Sequence, residues 1–213
     1  MPLKIIMDSD ERRTIPNPDP LVRYDQIHSV IQKIKPKTIV EIGTYNGMRA
    51  IIMCNEALKY NDEVHYVGFD LFDDATEQTD REESNVKPHQ TFSFVNGRLN
   101  EWKASNEGFT FELYKGNTNR ILHPMVADLA FIDGGHSVAT IDSDYRNLQD
   151  CRAVVFDDYY LPLPDGRIHI DTKLYGCNKV VDEIGGCEIF SEEHQTDSFN
   201  NVGTICLAVR YND

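Results

Sequence analysis

Two short stretches hold the residues best suited to chemistry. In ADLAFIDGGH, residues 127–136, an apolar run from Asp128 to Ile132 ends in an acid (Asp133), two glycines (Gly134, Gly135) and a histidine (His136). About two dozen residues later, AVVFDDYY is again an apolar run, ending in Asp157 and Asp158. Both runs read as short buried strands, and open α/β sheets place their chemistry where such strands end. As neighbours in one parallel sheet the strands would lie about 5 Å apart, bringing three carboxylates and an imidazole to one edge. Three carboxylates without a nearby cysteine form a hard oxygen site, suited to Mg²⁺, Mn²⁺ or Ca²⁺ rather than zinc. Such a cation can chelate a substrate through two oxygens and lower the pKa of one of them. His136 has three readings. It is a general base, because an imidazole titrates in the useful range, or a fourth metal ligand, or only a neighbour of the next helix's N-cap. Without chemistry, the acids would cap helices or pair with arginines such as Arg146 and Arg152.

A second site precedes these in the chain. TIVEIGTYNGMRAII reads as a strand from Thr38 to Ile42, a turn from Gly43 to Gly47 and a helix from Met48 to about Tyr60. Glycines at a strand-to-helix junction let the backbone approach a ligand and expose helix N-terminal amides. The spacing is E-x-G-x-x-x-G (Glu41, Gly43, Gly47), and Tyr45 stands where the dinucleotide fingerprint has its middle glycine. The next strand, EVHYVGFDL, ends in Asp70, which is placed to accept ribose hydroxyls.

The remaining elements must position these two sites. Residues 1–18 read as a loosely held arm. Asp19-Pro20 starts a helix whose buried stripe is Ile27, Val30, Ile31 and Ile34. Residues 72–90 are charged and nearly devoid of apolar side chains, the composition of a mobile insertion over the site. A helix follows over about 91–105, with Phe92, Phe94, Val95, Leu99 and Trp102 on its buried face. A third strand then leads to Gly116-Asn117, where Asn117 or Thr118 caps a short helix. After the two acid-bearing strands come a loop, a helix near Leu174 to Ile184, and two strands, Cys187–Phe190 and Thr204–Tyr211. No helix-length segment separates the last two, so they pair as an antiparallel hairpin.

The length of 213 residues suits one domain spanning 1–213. A net charge of −14 repels phosphate backbones and argues against a nucleic-acid partner. The five cysteines are scattered and lack C-x-x-C spacing, as in a reduced cytoplasmic protein. No apolar run approaches the ~20 residues that span a bilayer, so no membrane partner is expected. Oligomeric state has no signature, and a homo-oligomer stays open.

With five strands alternating with helices and a terminal hairpin, the chain resembles the class I S-adenosylmethionine (SAM)-dependent methyltransferases. These have an α/β, Rossmann-like fold with a seven-stranded, mostly parallel sheet, an antiparallel C-terminal hairpin and helices on both faces. VEIGTYNG resembles that family's glycine turn, Asp70 its ribose-binding acid and Gly116-Asn117 its adenine-lining segment. FIDGGH with VVFDDY resembles the metal-dependent O-methyltransferases of the catechol and macrolide-sugar types. That resemblance implies a magnesium ion on Asp133, Asp157 and Asp158 and a small hydroxylated acceptor, a sugar or a catechol-like phenol. It also places SAM on Glu41, Gly43, Tyr45, Gly47, Arg49, Asp70, Gly116, Asn117 and Asp133. Arg49 stands where catechol enzymes keep a small hydroxyl residue for the cofactor carboxylate; as a cation it could do the same. His136 stands where they keep a lysine. A non-catalytic SAM-binding protein and a hydroxylase-like relative are the alternatives. A nicotinamide dehydrogenase is disfavoured by the incomplete glycine fingerprint and the terminal hairpin.

Overall fold

The computed structural model describes residues 20–162, 165–168, 170–190, 195–196, 202–203 and 205–212. The expected N-terminal arm and its Asp19 cap lie outside them, as does Thr204. The chain runs α1 (Pro20–Ile34), β1 (Thr38–Ile42), α2 (Met48–Ala57), β2 (Val64–Asp70), a 3₁₀ turn (Phe72–Asp74), α3 (Glu77–Glu82), α4 (Phe92–Ala104) and β3 (Phe109–Lys115). It continues through α5 (Thr118–Ile121), β4 (Leu129–Ile132), α6 (Val138–Leu148), β5 (Ala153–Tyr160), α7 (Asn178–Ile184), β6 (Glu188–Ile189), β7 (Gln195–Thr196), β8 (Val202–Gly203) and β9 (Ile205–Tyr211).

Seven strands form one sheet in the order β3-β2-β1-β4-β5-β9-β6. β1 to β5 are mutually parallel, and β9 runs antiparallel between β5 and β6. This is the Rossmann-like arrangement the sequence implied, with its antiparallel terminal pair. A separate two-stranded ribbon, β7 with β8, lies within the long connection of that pair.

Both faces of the sheet are covered, so the central strands are apolar almost without a break. On one face Ile39, Phe131 and Val155 pack with Ile27, Val30 and Ile31 of α1, Met53 of α2, and Leu99 and Trp102 of α4. On the other, Val40, Ile132 and Phe156 pack with Ile141, Tyr145 and Leu148 of α6 and with Val180 and Val181 of α7. From β1 the chain builds outward through β2 and β3, then returns to lay β4 against β1's free edge. The β1–β4 boundary is therefore the switch point at which open α/β sheets bind ligands.

Several boundaries depart from expectation. α2 ends at Ala57, not near Tyr60. α7 begins at Asn178 rather than near Leu174. Gly176, at φ +80°, backs onto the Tyr160 ring there, and a Cβ on it would fall 2.7 Å from that ring. β5 continues past Phe156 to Tyr160 because Tyr159 and Tyr160 still pair with Cys206 and Ile205 of β9. On α4, Val95, Leu99 and Trp102 are buried, but Phe94 is 44% exposed and outside the core.

The 72–90 insertion has local structure of its own. Phe72 is buried and meets Phe92 edge-on at 5.5 Å. Asp73 and Asp74 hold Lys115, and Thr76 with Thr79 forms a capping box at the start of α3.

Candidate active site

The glycine turn wraps the end of β1 so tightly that side chains are excluded. Gly43 has φ +89°, and a Cβ there would stand 1.9 Å from the carbonyl oxygen of Asp133. Its N–H donates to Phe69 O at 2.8 Å, while the Asp133 N–H donates to Ile42 O at 2.9 Å. The turns after β1 and β4 are thereby laced together. Tyr45 takes a left-handed conformation (φ +50°) and Gly47, at φ +77°, is the N-cap of α2. Arg98 of α4 donates to Asn46 O at 2.8 Å from outside.

Asp70, at the end of β2, accepts from the N–H of Tyr45 at 2.8 Å and from that of Phe72 at 2.7 Å. It thus ties the glycine turn to the base of the insertion. Burial raises its pKa, and those two amides pull the other way. The next segment also converges here: Gly116 N–H donates to Asp70 O at 2.9 Å, and Asn117 caps α5.

Glu41 is fully buried. One of its carboxylate oxygens accepts from the Tyr66 hydroxyl, which meets the Thr44 hydroxyl at 3.2 Å. The other is buried without a hydrogen-bond partner. Burial pushes the Glu41 pKa up to about 8 against the pull of Arg49 and Tyr66. Gly68 makes room for this network, since a Cβ there would fall 2.5 Å from Thr44 Oγ1 and 2.7 Å from the Tyr66 hydroxyl.

At the acidic edge the three predicted carboxylates take different surroundings. Phe156 pairs with Ala208 and Tyr159 with Cys206, so Asp157 and Asp158 together face a single residue of β9. This is a β-bulge, which re-aims side chains, and Asp158 adopts φ +61° within it. Asp158 turns toward the preceding acidic turn, where its carboxylate lies 3.7 Å from His136 Nε2. Ligand atoms of Asp133, His136 and Asp158 all fall within 4.8 Å of one another. The Asp157 side chain, 1% exposed, lies on the inner side, where Oδ1 accepts the Asp158 N–H at 2.8 Å and Oδ2 lies 3.5 Å from Arg49 Nη2. Arg49 Nη1 donates to Asp133 Oδ2, and the guanidinium lies 4.5 Å from the centre of the Phe131 ring. Asp133 and Asp157 thus pair with Arg49, while Arg146 and Arg152 bind Asp142 and Asp128 elsewhere. A cysteine does lie near: the Cys177 N–H donates to Asp158 O at 3.2 Å. Burial, then Asp158 and Asp157, raise the pKa of its thiol.

One pocket reaches both turns, although Gly47, Asp157 and Asp158 are not in its lining. Glu41, Gly43, Tyr45, Arg49 and Asp70 line it with Gly116, Asn117, Asp133 and His136. The insertion expected over the site supplies part of its wall through Thr79, Asp80, Glu83, Asn85, Lys87 and His89, which the sequence did not single out. Nothing in a polar run marks which of its side chains turn inward. Tyr66 and Thr44 were also missed, though Gly68 in an apolar strand is a sign of close approach.

Residues 40–159 match the family model described as a methyltransferase domain. The chain belongs to that family. It is a SAM-dependent methyltransferase, with the class I fold expected of one. No curated protein sequence matches it significantly. Among solved structures, the methyltransferase resembles the O-methyltransferase NovP, with 17% identity over 89% of this chain and 80% of that one and a TM-score of 0.58. It resembles the O-methyltransferase TomG of Streptomyces achromogenes, involved in tomaymycin synthesis and solved with SAM. There identity is 12%, coverage 90% and 80%, and the TM-score 0.55. The methyltransferase domain of bacterial CtHen1 is similar at 10% identity, with coverage of 89% and 97% and a TM-score of 0.53. At such identities the likeness is one of fold. Among the described residues of the methyltransferase, no helix is long and apolar enough to cross a membrane.

Proposed function

We propose that this methyltransferase moves the SAM methyl group to a hydroxyl oxygen of a small molecule, a sugar or a catechol-like phenol, with a divalent cation beside the acceptor. One observation carries the reading. The glycine turn with Asp70 and the acidic turn with His136 line the same pocket at the sheet's switch point, so a methyl donor and a hydroxyl acceptor would meet inside it. Glu41, Gly43, Tyr45, Gly47 and Asp70 are the residues for the amino-acid and ribose portions of SAM, and Gly116 and Asn117 for its adenine. The likeness in fold to NovP and TomG, both O-methyltransferases, supports oxygen as the acceptor atom.

The two carboxylates suit a hard cation such as Mg²⁺, Mn²⁺ or Ca²⁺, and the imidazole nitrogen in the set favours Mn²⁺ among these. Asp133 and Asp158 offer carboxylate oxygens and His136 an imidazole nitrogen at mutual distances a single ion would need. When bound, the ion supplies chelation of the acceptor and a lowered hydroxyl pKa. Arg49, itself paired with Asp157, holds Asp133. The alternative role for His136, taking the acceptor's proton, is supported by its place on the turn that lines the pocket, with the Asp158 carboxylate 3.7 Å from Nε2.

Two measurements test this. Calorimetry with S-adenosylhomocysteine should show binding that Asp70→Ala weakens severalfold, and preference for NAD would overturn the cofactor assignment. Mass-shift assays on hydroxylated acceptors should show methyl transfer that chelator abolishes and Mg²⁺ restores; full activity in excess chelator would make the acids structural. His136→Ala separates its roles. Turnover lost with metal affinity kept marks a base, and both lost together mark a ligand.

A further inference from the structure

The insertion at 72–90 walls the pocket, yet α3 has no buried residue. Burial of apolar surface therefore does not hold α3 in place. Phe72 and the Asp73–Lys115 pair anchor only the base. The far end is fastened by one carboxylate. Glu83, which directly follows α3, accepts from the Ser137 N–H at 2.7 Å, the Ser137 hydroxyl at 3.2 Å and the Thr140 hydroxyl at 2.6 Å. All three donors belong to the first turn of α6, where an anion is also favoured by the helix dipole. Ser137 directly follows His136.

Gly135 supports this contact. A Cβ there would fall 2.7 Å from Glu83 Oε2 and 2.6 Å from Thr140 Cγ2. The second glycine of the turn thus leaves the space that the Glu83 carboxylate fills. The rest of the segment is tied to itself. His89 Nε2 lies 2.6 Å from Asp80 Oδ1, and Asn85 Nδ2 donates to that same oxygen at 3.1 Å. Such a unit would move as one piece.

We propose that Glu83 latches the insertion over the cofactor pocket and, by the same contacts, positions the turn carrying Asp133 and His136. The latch rests on the reading of that pocket as the SAM site. Parting Glu83 from α6 breaks three hydrogen bonds at once and frees the insertion to lift. Re-forming them resets Ser137 and with it His136. Glu83 is a positioning residue.

The test uses the full chain and two readouts: the dissociation rate of S-adenosylhomocysteine by stopped flow, and amide hydrogen exchange of 77–90 and 137–141 without ligand. Glu83→Ala should speed dissociation by about tenfold or more, the range for losing charge-assisted hydrogen bonds, and should accelerate exchange in both segments. Thr140→Val, which removes one donor and keeps the carboxylate, should shift both in the same direction by less. If Glu83→Ala does not fold, Thr140→Val carries the comparison. Wild-type dissociation and exchange in the variants would overturn the latch. Failure of the wild-type protein to bind S-adenosylhomocysteine would sink the pocket assignment instead, and exchange in Glu83→Ala would still decide the latch.

Discussion

Arg49 Nη1 donates to Asp133 Oδ2 while Nη2 lies 3.5 Å from Asp157 Oδ2, so one guanidinium joins the acids that end β4 and β5. The pair with Asp157 is almost wholly inside. Removing one partner of a buried ion pair leaves an uncompensated charge. Arg49→Met should therefore cost about 3 kcal/mol of stability, and Arg49→Lys less, because the charge stays while the two-pronged reach is lost. Urea denaturation with and without Mg²⁺ checks both this and the proposed cation. Mg²⁺ should restore more stability to Arg49→Met than it adds to wild type. An equal response would show that ion and guanidinium do not share Asp133.

Gly43 tests how tightly the two turns are laced. At φ +89°, with a Cβ position 1.9 Å from the Asp133 carbonyl oxygen, alanine is both strained and obstructed by backbone. Gly43→Ala should lose at least about 2 kcal/mol and weaken S-adenosylhomocysteine binding, because relief requires the β1 and β4 turns to part. Calorimetry and a urea titration on one sample suffice. Near-wild-type values in both would show that the turns can separate cheaply.

Two buried acids, Asp144 and Glu41, are raised into the neutral range and should contribute to the pH dependence of stability. Asp144, 1% exposed on α6, is raised from 3.8 to about 7, chiefly by burial; the Thr118 hydroxyl opposes this and Glu83 adds to it. Glu41 is raised to about 8. The sign follows from proton counting. Between the unfolded and folded pKa values the native chain holds a proton that the unfolded chain has released, so stability falls as pH rises. Each group's contribution is complete below about pH 4 and is lost through pH 7 for Asp144 and through pH 8 for Glu41. Asp144→Asn removes one of the two. Its stability relative to wild type should improve between pH 5 and pH 8 by about 2–4 kcal/mol, from ~1.4 kcal/mol per pH unit. Denaturation curves at those two pH values measure it, and parallel profiles would mean that Asp144 is ionised in the fold.

Most of the architecture is legible in the chain because β4 and β5 open on unbroken apolar runs, and in β1 only Glu41 interrupts the run, each ending in a polar turn. Gly43, Asp70 and Asp133 could be placed for the same reason: strand ends at a switch point are where such sheets are open. The insertion was harder. Phe72 and Val86 look alike in a charged run, yet one is fully buried and the other 95% exposed. Glu83 resembles every other acid around it, because its role depends on Ser137, more than fifty residues away. Arg49 was expected to face a cofactor carboxylate, and its pairing with Asp133 and Asp157 needed the register of three strands to appear.

The bulge in β5 had no sequence signal, and it yields the sharpest separation of roles. In a regular strand Asp157 and Asp158 would point to opposite faces. Here Asp157, 1% exposed, serves Arg49 and its neighbour's amide, while the Asp158 side chain is 15% exposed and approaches His136. Asparagine keeps an acceptor at either position and tolerates the left-handed backbone of Asp158. Asp157→Asn should therefore lose mainly stability, about 1–3 kcal/mol from weakening a charged, buried hydrogen-bond set. Asp158→Asn should keep stability within about 1 kcal/mol while its Mn²⁺ affinity and turnover drop tenfold or more. Melting curves and a Mn²⁺ titration on the two variants give the comparison. If both lose metal equally at unchanged stability, the two carboxylates act as equivalent ligands and the bulge does not divide their work.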